Sequence, residues 1–231
     1  MRRREFLGTC AVAAFAAAPT LTVAADAVPR SYSRARLVDE TGRPVKAGAV
    51  PRHTNLIFHY PYAATPCFLL NLGQPLEPAG GLRTADALTY RWPGGVGPAR
   101  SIVAYSAICA HRLSYPTRQV SFIGYQEQPR AGGGKRLIHC CHEHSEYDPA
   151  RGAAVVGGPA QQPLAAILLE YDEASDGLYA VGTLGGAMFD DFFAKYEFRL
   201  GLEFGGKAKE PVLERCVVTE LARYCQQRIK C

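Results

Sequence analysis

Short runs of β-branched, aromatic and aliphatic residues, each closed by Gly, Pro, Asp or Asn, dominate the middle of the chain. Asn55-Leu56-Ile57-Phe58-His59-Tyr60 and Cys67-Phe68-Leu69-Leu70-Asn71-Leu72 predict two strands joined by a proline-containing turn, a hairpin. Further strands are predicted at 88–92, 101–108, 120–125, 137–140, 165–171 and 178–181. Strands this short and this closely spaced predict an antiparallel β sandwich or barrel rather than a parallel α/β sheet. Helical periodicity is confined to the C-terminal region. Phe189, Phe192, Phe193 and Tyr196 share one helical face, and Leu213, Val217, Leu221 and Tyr224 form a second stripe over 211–229. The pattern divides the chain into an N-terminal segment (1–27), a polar linker or arm (28–54), a mainly β domain (55–185) and a helical C-terminal extension (186–231).

Composition fits this division. With 231 residues, 48% of them hydrophobic and 20% charged, the chain can bury a core of one domain plus appendages. The net charge of +5 comes without a basic run interleaved with aromatics, so no nucleic-acid partner is expected. Gly132-Gly133-Gly134 lacks a following Lys-Ser/Thr helix start, so it reads as a hairpin tip rather than a phosphate loop. The segment Arg2-Arg3-Arg4-Glu5-Phe6-Leu7-Gly8, followed by an uncharged alanine-rich stretch to Ala25, looks like a twin-arginine export signal, which implies a periplasmic destination. Small residues at Val23-Ala24-Ala25 allow cleavage, while a stretch of about twenty uncharged residues is also long enough to remain as a membrane anchor.

Most of the six histidines, and three of the eight cysteines, fall in two places: Cys109-Ala110-His111 and His139-Cys140-Cys141-His142-Glu143-His144. Such clustering indicates a metal site. A Cys-x-His followed some thirty residues later by Cys-x-x-His is the spacing of a two-iron two-sulfur centre in which two thiolates hold one iron and two imidazoles the other. Counting that spacing selects Cys109, His111, Cys141 and His144. Structural disulfides would leave the histidines unexplained, and a structural zinc is the alternative occupant. The absence of histidine after His144 and of a Cys-x-x-Cys-His motif argues against a mononuclear iron site downstream and against covalent haem.

Beyond these residues, 101–182 resembles the Rieske iron–sulfur family. The likeness is carried by Ser101 to His111, by Ser145-Glu146-Tyr147-Asp148, by Gly158-Pro159-Ala160 with Pro163-Leu164, and by Leu178-Tyr179-Ala180-Val181-Gly182. The resemblance implies a Rieske-type antiparallel fold with one 2Fe-2S cluster on loops, a potential in the range of ~ −150 to +300 mV, and Ser145 and Tyr147 as hydrogen-bond donors to the cluster and its thiolates. Aligned backwards from Ser145, the family pattern puts Cys140 at the thiolate position and Glu143 at the imidazole position. Cys140 therefore stands as the alternative ligand to Cys141. Ser114 occupies the place of a cysteine that, in high-potential members, forms a cross-cluster disulfide.

The resemblance further implies an electron-transfer subunit rather than a stand-alone enzyme, either of a cytochrome bc-type quinol-oxidising complex or of a periplasmic molybdenum oxidase of the arsenite-oxidase kind. Its partners would be a cytochrome or a catalytic subunit, and a quinol where the first applies. A structural or assembly protein with a degenerate or zinc-bound Cys/His site is the alternative of a different class. The C-terminal extension is expected to dock a partner. Cys216 and Cys225, nine residues apart on a helix, would face different sides, which leaves Cys67 and Cys231 as candidate disulfide partners.

Overall fold

The computed structural model describes residues 27–128 and 134–231. All of the expected export segment except Ala27 lies outside the described residues, as do Gly132 and Gly133.

The first half of the chain supplies β1 (Arg30–Val38), β2 (Leu56–His59), β3 (Pro66–Asn71), β4 (Ala79–Arg83), β5 (Thr89–Trp92) and β6 (Ile102–Ser106). There follow β7 (Val120–Ser121), β8 (Ile123–Tyr125), β9 (Ile138–Cys140), β10 (Ser145–Asp148), β11 (Ala154–Gly157), β12 (Ala166–Asp172) and β13 (Gly177–Leu184). The C-terminal region is α1 (Met188–Phe204), β14 (Arg215–Val217), β15 (Thr219–Glu220), the single-turn α2 (Leu221–Tyr224) and β16 (Gln227–Arg228). The fold is mainly β, with one substantial helix.

Eight strands form the main sheet in the order β14-β1-β13-β12-β6-β3-β2-β15. The predicted hairpin is present: β2 and β3 pair antiparallel from Leu56↔Leu69 to His59↔Pro66. Side chains alternate across these strands. Phe58, Leu69 and Ala104 point into one core with α1, while Ile57, Phe68 and Tyr105 point into a second core toward a four-stranded sheet, β11-β10-β9-β8. Phe58 and Phe68 are wholly buried, on opposite faces, and each such side chain contributes about 1.5–3 kcal/mol. Fully buried on both faces, β3 reads as a continuous apolar run rather than an alternating one.

Two sequence expectations change. Residues 28–54, expected as a linker, contain β1, which pairs with β13 and β14. Its alternation is masked because Arg34 and Arg36 face outward, with Arg34 stacked 3.4 Å from the Tyr179 ring centroid. The helix expected over 211–229 is replaced by three short strands and one helical turn. Cys216 and Val218 are buried at a spacing of two, while Leu213 and Val217 of the supposed helical stripe are exposed.

Val218 is all that separates β14 from β15, yet these strands sit at opposite ends of the sheet, on β1 and β2. The segment 215–220 therefore bridges the two edges, and the sheet is nearly closed. Helix α1 packs Phe192 and Tyr196 on Tyr115, each with ring centroids 5.1 Å away, and Lys195 Nζ donates to the Arg112 carbonyl at 2.6 Å. The C-terminal helix thus braces the loop that follows β6. No helix among the described residues is long and apolar enough to cross a membrane.

Candidate metal centre

Two loops meet at one end of the second core. The first leaves β6 and folds back tightly: the Cys109 amide donates to the Ser114 carbonyl and the Leu113 amide to the Cys109 carbonyl, each at 2.8 Å. Leu113 pays for this turn with a φ of 58°. The second loop joins β9 to β10, whose register pairs Cys140 with Ser145 and His139 with Glu146. Directly opposed residues share a face of an antiparallel pair, and neighbours along a strand take opposite faces. Cys140, Ser145 and Tyr147 therefore lie on the inner face, and His139 and Glu146 on the outer.

This alternation decides which thiol meets Cys109. Cys109 and Cys140 are both buried and unbridged, and their side chains share a hydrogen bond. That bond holds the Cys109 thiol down at about 5, against the desolvation of the site and with help from Tyr147; Cys140 is pushed upward by the same partner and by burial. Tyr147 is fully buried. Its hydroxyl lies 3.4 Å from Cys109 Sγ and accepts from the Ala110 amide at 3.1 Å. Burial, and then the Cys109 charge, raise the phenol far above its usual range, so it stays protonated.

Of the residues expected as ligands, Cys109 and His111 stand on the inner side of the first loop. Cys141 and His144 do not join them. Cys141 forms a disulfide with Cys231, Cα to Cα 5.6 Å, and its amide donates to the Phe122 carbonyl at 2.7 Å. His144 is exposed, in a left-handed conformation (φ 58°), with its ring 5.6 Å from that of His139 on the outer face. The Cys-x-x-His spacing thus points to two residues that lie away from Cys109, and Cys140, the alternative, is the thiol brought to it. In the place given by spacing to His144 stands Glu143, whose Oε2 approaches His111 Nδ1 to 3.2 Å and whose Oε1 accepts from Arg112 Nε at 2.6 Å. The Arg112 hydrogen bond lowers the Glu143 carboxyl below its ordinary range. His142 packs against Phe122.

Gly158 closes the site from above. With a φ of 79°, it passes so close that a Cβ there would meet the His144 carbonyl oxygen at 2.3 Å. The following Pro159-Ala160 continues this cover, with Ala160 buried in the second core.

The chemistry of the donor set fits a metal–sulfur group. His111 Nδ1 and Ser145 Oγ are buried without a hydrogen-bond partner, the Glu143 contact to Nδ1 lacking hydrogen-bond alignment. Buried polar atoms without partners are rare and costly. Here two of them converge beside two unbridged thiols. The disulfide was not legible in the sequence, because its sulfurs lie 90 residues apart and Cys231 reaches Cys141 only through the pairing of β16 with β7. Cys67, Cys216 and Cys225 are free.

No family model matches the chain. Among solved structures it is similar to the soluble domain of the Rieske protein II (soxF) from Sulfolobus acidocaldarius, at 26% identity and a TM-score of 0.49, over 66% of this chain and 78% of that one.

Proposed function

We propose that the chain is a Rieske-type iron–sulfur electron carrier. One observation carries this reading: two buried, unbridged thiols from separate loops, Cys109 and Cys140, meet beneath the Tyr147 hydroxyl, next to the unpartnered Ser145 Oγ and His111 Nδ1. When bound there, a 2Fe-2S cluster supplies a one-electron site. Cys109 and Cys140 would hold one iron and His111 would serve the other. Ser145 and Tyr147 would donate hydrogen bonds toward sulfur, which stabilise added negative charge and raise the potential. The buried thiols exclude water from the sulfur side. The His111 side chain remains 24% exposed, which gives a path for electrons to a partner.

Export to the periplasm by the twin-arginine route is part of the proposal. Its support is the Arg2-Arg3 segment, together with a disulfide that suits an oxidising compartment. In that setting the protein serves as the electron-transfer subunit of a respiratory oxidoreductase, passing electrons to a cytochrome or from a catalytic subunit. Iron and acid-labile sulfide analysis of the purified protein tests the reading. Two of each per chain, with a paramagnetic signal on one-electron reduction, is the expected result. A colourless, zinc-loaded protein without sulfide would overturn it.

A further inference from the structure

Three donors are accounted for by Cys109, Cys140 and His111, and the structure places a carboxylate where a fourth belongs. We infer that Glu143 is that fourth ligand, so that the centre is held by two thiolates, one imidazole and one carboxylate. The inference rests on the cluster reading above and refines its ligand set.

Three observations carry it. First, two donors bound about 2.0 Å from one tetrahedral ion are separated by roughly 3.3 Å, and Glu143 Oε2 lies 3.2 Å from His111 Nδ1 without hydrogen-bond alignment. A carboxylate oxygen and an imidazole nitrogen aimed past each other at this distance are arranged for a shared third atom. Second, the other carboxylate oxygen is fixed by Arg112 at 2.6 Å, which turns Oε2 toward His111. Outer-shell partners of this kind orient metal-binding carboxylates. Third, the competing imidazole is on the wrong face: the His144 ring is exposed and pairs with His139 across the hairpin from Cys140. The spacing Cys140-x-x-Glu143 also preserves the two-residue interval that lets one tight loop supply both irons.

A carboxylate in place of imidazole adds one negative charge to the centre. Accepting an electron then becomes less favourable, and the potential falls below that of a centre with two imidazoles, with Arg112 offsetting part of the effect. The centre would therefore suit an acceptor that takes electrons at lower potential than a quinol-oxidising Rieske protein requires.

Pulsed electron paramagnetic resonance of the reduced full-length protein counts the coordinated imidazole nitrogens. One is expected in the native protein and in His144→Ala, and two in Glu143→His, whose potential should rise. Glu143→Ala should shift the signal or lose the cluster. Two coordinated nitrogens in the native protein, one of them lost in His144→Ala, would overturn the carboxylate ligation while leaving the cluster reading intact. So would a Glu143→Ala signal identical to the native one. A protein without iron and sulfide defeats both readings together.

Discussion

The Tyr147 hydroxyl stands 3.4 Å from Cys109 Sγ while accepting the Ala110 amide proton, so one buried phenol ties a proposed ligand to the backbone of the ligand loop. Tyr147→Phe removes both contacts and leaves the Ala110 amide without its partner. The expected cost is about 1–3 kcal/mol in stability, together with a lower reduction potential, since the phenol no longer stabilises negative charge on sulfur. Redox titration and chemical denaturation of the variant check both. An unchanged potential would remove Tyr147 from the electronic tuning of the site.

The two adjacent cysteines of the second loop should separate cleanly. Cys140→Ser should abolish cluster binding. Cys141→Ser and Cys231→Ser should each retain iron and sulfide but lose about 2–5 kcal/mol of stability, the usual range for removal of a native disulfide. Mass spectrometry of the non-reduced protein and iron analysis of the three variants test the assignment. Cluster loss in Cys141→Ser with retention in Cys140→Ser would reverse it.

Gly158→Ala places a Cβ against the His144 carbonyl oxygen on a backbone with φ 79°. The left-handed conformation alone costs about 1 kcal/mol or more for a residue with a Cβ, and the clash adds to it by pushing the cover away from the second loop. A lower melting temperature and faster loss of iron to a chelator are expected. Gly201→Ala, in open space on the exposed face of α1, should cause neither.

His59 provides a pH signature unrelated to the metal centre. Burial depresses its pKa from 6.5 to about 4, and Arg118 adds to the effect; its Nε2 lies 3.3 Å from the Tyr224 hydroxyl. Because the folded pKa is below the unfolded one, the native state favours the neutral ring. Stability is fully present above about pH 6.5 and is lost as the pH falls toward 4, by an amount on the order of 3 kcal/mol. His59→Leu should flatten the pH dependence of unfolding free energy across this window. A variant with the same acid slope as the native protein would assign the loss to other groups.

Much of the strand content was legible because it depends on local alternation and punctuation. The 55–72 hairpin and the strand before Cys109 follow directly from them. The outward arginines of β1 hid a strand whose inward positions, Ala35 and Leu37, are fully buried. Leu213 and Val217 imitated a helical stripe in a segment whose burial has a period of two. At the site, Cys109-Ala110-His111 offers a single register. His139-Cys140-Cys141-His142-Glu143-His144 holds two overlapping Cys-x-x-ligand registers that differ by one residue. A one-residue step exchanges the faces of a strand. The choice thus depends on the pairing of Cys140 with Ser145, a relationship that spacing alone does not contain.

The bridge formed by residues 215–220 alters the meaning of a C-terminal deletion. The same six residues cover β1 on one side and β2 on the other, so a chain ending after Gly206 would bare two strands' worth of unsatisfied amides and carbonyls at once. Exposed edges of this kind recruit other chains. The region expected to recruit a partner also covers these edges, so light scattering of the shortened chain should report soluble aggregates or fibres rather than a monomer that has merely lost a docking surface.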